Sequence, residues 1–319
     1  MLLLVEIGLG FQSKKVETVT IGWRTSDYKQ LMSPVENGAW HLKPISNFRH
    51  KSDSGEYDYV INTKMCGVSI SRDVCRTSAQ MWHFGDSFTF GFGVKAENTF
   101  VSLFSLNGIP SNNYGVPGFS AIELIDHAQK QVSTDSDINK PKSLFLHFFL
   151  GNDVPETLIR EFPTLTSTSS NMLENVFSYS NLKKLADRAV LGYRVHDKNI
   201  SEPFVWNSRH MENISGDYWL RNGQTFLKLL DASLSNLRKD FIGEISASLI
   251  PPKEICVVDD AGWFAMVNDM KLILAKHQIK VYDFYSILGC PTLLDGYFFS
   301  DTHLNALGHK MLFEAISKS

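Results

Sequence analysis

The chain has 319 residues, 43% of them hydrophobic, which is enough for a buried core in one large domain or two small ones. Its 31 Lys and Arg nearly balance 34 Asp and Glu, and the formal charge of −3 with no basic run argues against a nucleic-acid partner. Cys66, Cys75, Cys256 and Cys290 form no C-x-x-C pair, so the common zinc and redox motifs are missing and neither a metal nor a cofactor is expected. Free thiols are the default expectation, although Cys66 and Cys75 are near enough in sequence to bridge in an oxidising compartment.

The opening MLLLVEIGLGF, residues 1–11, contains Glu6 and lacks a basic flank, so as written it is neither a signal peptide nor a spanning helix. It fits the last turns of a truncated membrane anchor, the only membrane association the sequence suggests. On that ground an extracytoplasmic location is favoured over a cytoplasmic one, and the oligomeric state is left open. Residues 1–78 form an N-terminal extension whose later part is polar, with Tyr57, Tyr59 and Ile61 alternating as in β-hairpins.

From 79 to 319 apolar runs alternate with helical stripes, the pattern of an α/β domain with a mainly parallel sheet covered by helices. Strands are expected at 80–84 and 112–115, with a helix over 96–107 between them showing Phe100, Leu103 and Phe104 on one face. A second helix buries Ile122, Ile125 and Ala128, and SLFLHFFLGND, 143–153, reads as a central strand buried on both faces. Residues 155–215 break the rhythm and read as an internal cap insertion. The alternation then resumes with a stripe of Phe226, Leu230, Leu234, Leu237 and Phe241, a strand in EICVVDD, and a helix carrying Met266, Met270, Ile273 and Leu274. KVYDFYSIL reads as the last strand and 303–317 as the closing helix.

Four segments fall at expected strand ends, where ligands gather on an open parallel sheet. MWHFGDS places Ser87 two residues beyond the first strand. It is not the nucleophile elbow, because Thr89 stands where that motif needs glycine, and GFGVKA is not a dinucleotide fingerprint. NYGVPGFS places Gly118 where a backbone N–H can approach a ligand closely. LGND offers the Asn152 amide as a donor, and SDTHLNALGHKML sets Asp301 and His303 ahead of the last helix. A hydroxyl, an imidazole, a carboxylate and oxyanion donors together make the inventory for acyl transfer.

In order and spacing these segments resemble the consensus blocks of the GDSL family, also called SGNH hydrolases. The resemblance implies a three-layer flavodoxin-like fold and a serine esterase in which Ser87 is the nucleophile and His303 the base. Gly118 and Asn152 would join the Ser87 N–H in the oxyanion hole. Most of the family has its aspartate three residues before the histidine, a position held here by Ser300. Asp301, two residues before His303, takes the third place in the triad, with Asp295 as substitute. This Asp-x-His spacing resembles SGNH-like domains that transfer acetyl groups to polysaccharides, and GEYDYVINTK resembles the β-rich extension of bacterial members linked to polysaccharide modification. The implied substrate is a small acyl ester, acetyl on a carbohydrate first. Two alternatives stand beside it: an O-acetyltransferase using the same site, and a catalytically silent glycan-binding or assembly module, which would gain if Asp301 and His303 were too far apart to bond.

Other tempting residues have plainer readings. Asp86 and Asp153 are expected to brace their loops by bonds to backbone, and Asp259 and Asp260 to cap a helix beginning near Trp263. His83, His147 and His309 are expected to pack in the core. Trp206, Tyr218 and Trp219 suit either a sugar ring or a small core of their own, and the glycosylation patterns at Asn199 and Asn213 carry little weight.

Overall fold

The computed structural model describes residues 31–34, 40–52, 54–67, 69–134, 140–161, 207–257 and 261–318. The opening 11 residues, residues 162–206 of the insertion with Trp206, and the pair Asp259 and Asp260 lie outside them.

Near the N-terminus, β1 (Met32–Pro34) and β2 (Trp40–Leu42) form an antiparallel ribbon, and β3 (Ile45–Lys51), β4 (Asp58–Cys66) and β5 (Ser69–Arg72) an antiparallel meander. Burial alternates along β4, with Tyr59, Ile61 and Thr63 inward and Asp58 and Val60 exposed, as a sheet with one covered face requires. A disulfide joins Cys66 at the end of β4 to Cys75 beyond β5, and a second joins Cys256 to Cys290, so none of the four cysteines is free. The second pairing was invisible in sequence because its partners lie 34 residues apart and only the fold brings their Cα atoms to 6.0 Å.

The main sheet is wholly parallel: β6 (Met81–Gly85), β7 (Ser111–Gly115), β8 (Ser143–Phe149), β9 (Glu244–Ile250) and β10 (Lys280–Asp283), in the order β10-β9-β8-β6-β7. Counted within the sheet this is the flavodoxin-like order 2-1-3-4-5, and its topological switch point lies beside β6. On one face α2 (Phe100–Leu106), which connects β6 to β7, packs on α10 (Ala306–Ser317). On the other face α6 (Gly216–Asp240), which follows the short α5 (Ser208–Asn213), packs against both α3 (Ala121–Thr134) and α7 (Ala261–Lys276). The expected stripes are the buried ones: Ile122, Ile125 and Ala128 on α3; Phe226, Leu230, Leu234 and Leu237 on α6; Met266, Met270 and Leu274 on α7.

Several element readings are corrected. Residues 254–257, the described part of EICVVDD, are not a strand; β9 lies just upstream in EISASLI, and Lys253–Cys256 is a 3-10 turn. Pro251 and Pro252 stand between them, and two residues without N–H groups cannot continue a ladder. The serines that disguised β9 are accommodated within the sheet, Ser248 Oγ lying 2.7 Å from His147 Nδ1. The last strand stops at Asp283, whose side chain accepts from Ser286 N–H at 3.2 Å and caps α8 (Phe284–Leu288). The helix over 96–107 is broken at Thr99, which caps α2 after a 3-10 turn at Ala96–Asn98. Trp219 is a core residue, its indole N–H donating to Asp269 at 2.8 Å and its ring edge-on to Phe226.

Leu230 is fully buried in α6 and Leu220 on the same helix is 83% exposed. Leu230→Ala should lower unfolding free energy by about 2–5 kcal/mol in urea titrations, and Leu220→Ala by under about 0.5 kcal/mol. Equal effects would mean that the face of α6 turned to the sheet is not the one the stripe indicates.

Candidate active site

The segment around Ser87 is shaped by its neighbours. A Cβ on Gly85 would lie 2.0 Å from Thr89 Oγ1 and 2.9 Å from the His147 carbonyl, so only glycine lets the chain fold back over the strand ends. Asp86 follows as N-cap of the one-turn helix α1 (Ser87–Phe90), accepting from Phe88 N–H at 2.9 Å. Ser87 is thereby the first helical residue, set at the carboxyl end of β6.

His303 sits in a loop closed at its base by a bridge between Tyr297 and Leu304, with Phe298 N–H donating to the His303 carbonyl at 3.1 Å. The closing helix α10 starts only at Ala306, capped by Asn305, which leaves the imidazole outside the helix. Asp301 Oδ1 lies 2.9 Å from the His303 backbone N–H and 2.5 Å from its ring Nδ1. This local turn explains the Asp-x-His spacing: an aspartate readily bonds the backbone two residues on, and here the same oxygen also meets the ring. Asp295 ends the short helix α9 (Thr292–Asp295) and has no part in it. Because an ionised carboxylate only accepts, the Nδ1 proton faces Asp301, leaving Nε2 as an acceptor 2.8 Å from Ser87 Oγ. The same hydroxyl also lies 3.5 Å from Asp86 Oδ2, a long contact that the 2.8 Å bond to Nε2 outweighs. The imidazole stacks on Phe92 at 4.2 Å between centroids and leans on Phe88 at 5.0 Å.

The buried carboxyls take opposite electrostatic states. Burial works against ionisation of Asp301, but the facing imidazole, its hydrogen bonds and Lys253 outweigh it and hold the carboxyl down at about 2. Asp86 faces the reverse balance, and burial raises it to about 7 despite the Phe88 N–H and His303. Asp153, also fully buried, is raised by burial and further by Asp86, while one of its oxygens accepts from Phe149 N–H at 2.8 Å. Both aspartates brace their loops. His83 and His147 are buried with their rings 3.0 Å apart at Nδ1 and Nε2, and His309 accepts from Phe100 N–H at 3.3 Å.

The ends of β7 and β8 bring Gly118 and Asn152 to the same edge of the sheet. Gly118 has φ +80°, with nothing within 4 Å of where a Cβ would sit, so its peptide borders open space. Arg160, on α4 (Asp153–Glu161), holds the Gly118 carbonyl at 2.6 Å and pairs with Glu123 and Glu156, tying this loop to the helix after Asn152. Asn152 opens that helix, its carbonyl accepting from Glu156 N–H at 2.9 Å. Sequence reading missed Lys253, which stands just ahead of EICVVDD and belongs to no motif. Its buried ammonium donates to the carbonyls of Phe298, Phe299 and Asp301 at 3.0, 3.2 and 2.9 Å, and burial pulls it down to about 8 against Glu254 and Asp301.

No family model and no curated protein matches the chain. Solved structures similar to it include a member of the lipolytic protein G-D-S-L family from Veillonella parvula DSM 2008, 16% identical over 75% of this chain and 96% of that one, with a TM-score of 0.44. A lipolytic protein of the G-D-S-L family from Desulfitobacterium hafniense DCB-2 is also 16% identical, over 75% and 98%, with a TM-score of 0.43. The acetyl xylan esterase AlAXEase is 13% identical over 75% and 98%, with a TM-score of 0.42.

The raised Asp86 pKa makes stability depend on pH. Folded Asp86 keeps a proton that the unfolded chain releases near pH 4, so the stability it contributes is complete below that pH and lost as pH rises through about 7. The histidines His83, His127, His147 and His309, which burial holds neutral, act in the opposite sense below about 6.5, so the contribution of Asp86 is read as a difference. Asp86→Asn keeps an acceptor for Phe88 N–H, and its Tm minus that of the wild type, followed by circular dichroism, should rise between pH 4 and 7. A flat difference would show that Asp86 is already ionised in the native state.

Proposed function

We propose that this chain is a serine ester hydrolase of the SGNH type. The carrying observation is the continuous contact from Ser87 Oγ through the two nitrogens of His303 to Asp301, at 2.8 and 2.5 Å. The contact between Asp301 and His303 also speaks against the silent-module reading, which needed the two apart.

In this reading Ser87 Oγ attacks the carbonyl carbon of an ester while its proton passes to His303 Nε2. Asp301 fixes the ring so that Nε2 faces the serine and offsets the positive charge that forms. The carbonyl oxygen becomes an oxyanion, taken up by the Ser87 and Gly118 N–H groups and the Asn152 amide. When the tetrahedral intermediate collapses, the C–O bond to the alcohol breaks and His303 returns its proton to the leaving oxygen. Water then gives a proton to His303 as it attacks the acyl-Ser87 carbonyl, releasing the acid and restoring the serine hydroxyl. A small acyl group, acetyl first, is the substrate favoured by the Asp-x-His pattern and its resemblance to carbohydrate-acetyl chemistry. The pairing of all four cysteines fits an oxidising compartment, where extracellular glycans are met.

Ser87→Ala should reduce kcat on p-nitrophenyl acetate by about 10⁴-fold or more without lowering Tm, and Asn152→Ala by about 10²–10³-fold. Faster p-nitrophenol release with an added oligosaccharide would identify the sugar hydroxyl as acyl acceptor, and no change would leave water in that role. Equal activity in wild type and Ser87→Ala would remove the serine mechanism.

A further inference from the structure

Asp301 has two carboxylate oxygens, and the His303 contacts use only one. Oδ1 receives both the backbone and the ring N–H of His303. Oδ2 faces the hydroxyl of Tyr57, 3.4 Å away across a sequence separation of 244 residues. Tyr57 lies at the foot of β4, on the hairpin that β3 and β4 form. Its neighbour Glu56 grips the same loop, accepting from Phe299 N–H at 2.7 Å and from the Ser300 hydroxyl and N–H.

The hairpin also reaches the other half of the site. The Tyr57 ring packs at 5.7 Å from Phe92, the ring on which the imidazole stacks, and at 5.4 Å from Phe298. The Tyr59 hydroxyl accepts from Gly93 N–H at 2.9 Å. At the end of the meander the buried Arg72 donates to the carbonyls of Phe90, Gly91 and Val94, which follow Ser87 directly. The meander thus touches the loop after the nucleophile and the loop bearing the base.

We propose that this hairpin is a working part of the active site, with Tyr57 as the positioning residue that fixes the plane of the Asp301 carboxylate from the side opposite His303. The proposal rests on the serine-hydrolase reading and adds to it a residue outside the four sequence blocks. A carboxylate held at one oxygen can still rotate about its side-chain bonds; a donor at the second oxygen and Glu56 on the adjacent loop remove that freedom. Burial and the nearby Asp301 charge push the Tyr57 hydroxyl well above its ordinary range, so it keeps its proton and donates at any working pH. At 3.4 Å the bond is long, and its role is orientation rather than strong stabilisation of charge. The exposed cost of removing it should accordingly be modest.

The test uses the full chain and the conservative variant Tyr57→Phe, which deletes the hydroxyl and keeps the ring packing. Val60→Ala, at an exposed site on the same hairpin, serves as control. Tyr57→Phe should lower kcat on p-nitrophenyl acetate about 3- to 10-fold with KM within twofold, the order expected when one weak orienting hydrogen bond is lost. Titration with a fluorophosphonate should still count a full complement of reactive serines, which separates misplacement from loss of folded protein. Independently of turnover, the low-field proton resonance of the bond between Asp301 and His303, assigned by its loss in His303→Ala, should move in Tyr57→Phe and stay in Val60→Ala. If Ser87→Ala is dead while Tyr57→Phe keeps wild-type kcat and an unmoved resonance, the proposal falls and the serine reading stands. If the wild type is inert toward esters, the serine reading falls and the resonance alone decides: movement in Tyr57→Phe keeps Tyr57 as the residue that orients Asp301, and no movement overturns it.

Discussion

One hydrogen bond, from Ser87 Oγ to His303 Nε2, joins residues 216 positions apart, and the arrangement of the site depends on keeping it at 2.8 Å. Each residue held in one backbone conformation costs about 1–2 kcal/mol in entropy, so two free loops would not meet this closely by themselves. The protein removes that freedom at both ends. Ser87 is fixed by the strand end, the Gly85 close approach and the Asp86 cap. His303 is fixed by the Tyr297 and Leu304 bridge, the Asp301 turn and three carbonyl bonds from Lys253.

The same region shows how a protein sets the ionisation of buried carboxyls by what faces them. Asp301 meets an imidazole and an ammonium and stays ionised in spite of burial. Asp86 and Asp153 have backbone N–H partners, but burial prevails in both, and at Asp153 the neighbouring Asp86 adds to it. Three aspartates around one serine therefore divide into one charged group that orients the imidazole and two that brace strand ends.

Much of the sheet was legible because a parallel strand buried on both faces reads as an apolar run, as in SLFLHFF, and a helix on its surface reads as a 3.6-residue stripe, as on α6. The misreadings came where local chemistry competed with periodicity. EISASLI hid its strand behind serines, and EICVV looked like a strand although two prolines had already stopped the ladder. Asp283 ended β10 four residues into an apolar run because its side chain could cap a helix.

The sequence by itself determined which groups at the strand ends are candidates for the chemistry. Ser87, Gly118, Asn152, Asp301 and His303 each stand in a short segment whose turn and cap residues have local effects, and local effects can be read from neighbours in the chain. What surrounds those groups was decided by tertiary structure alone. Tyr57 and Arg72 look like ordinary residues of a β-rich segment, Lys253 belongs to no motif, and the Cys256–Cys290 pairing has no local signature. Their partners lie 18 to 244 residues away, and a contact at that range exists only once the sheet order has set which loops meet.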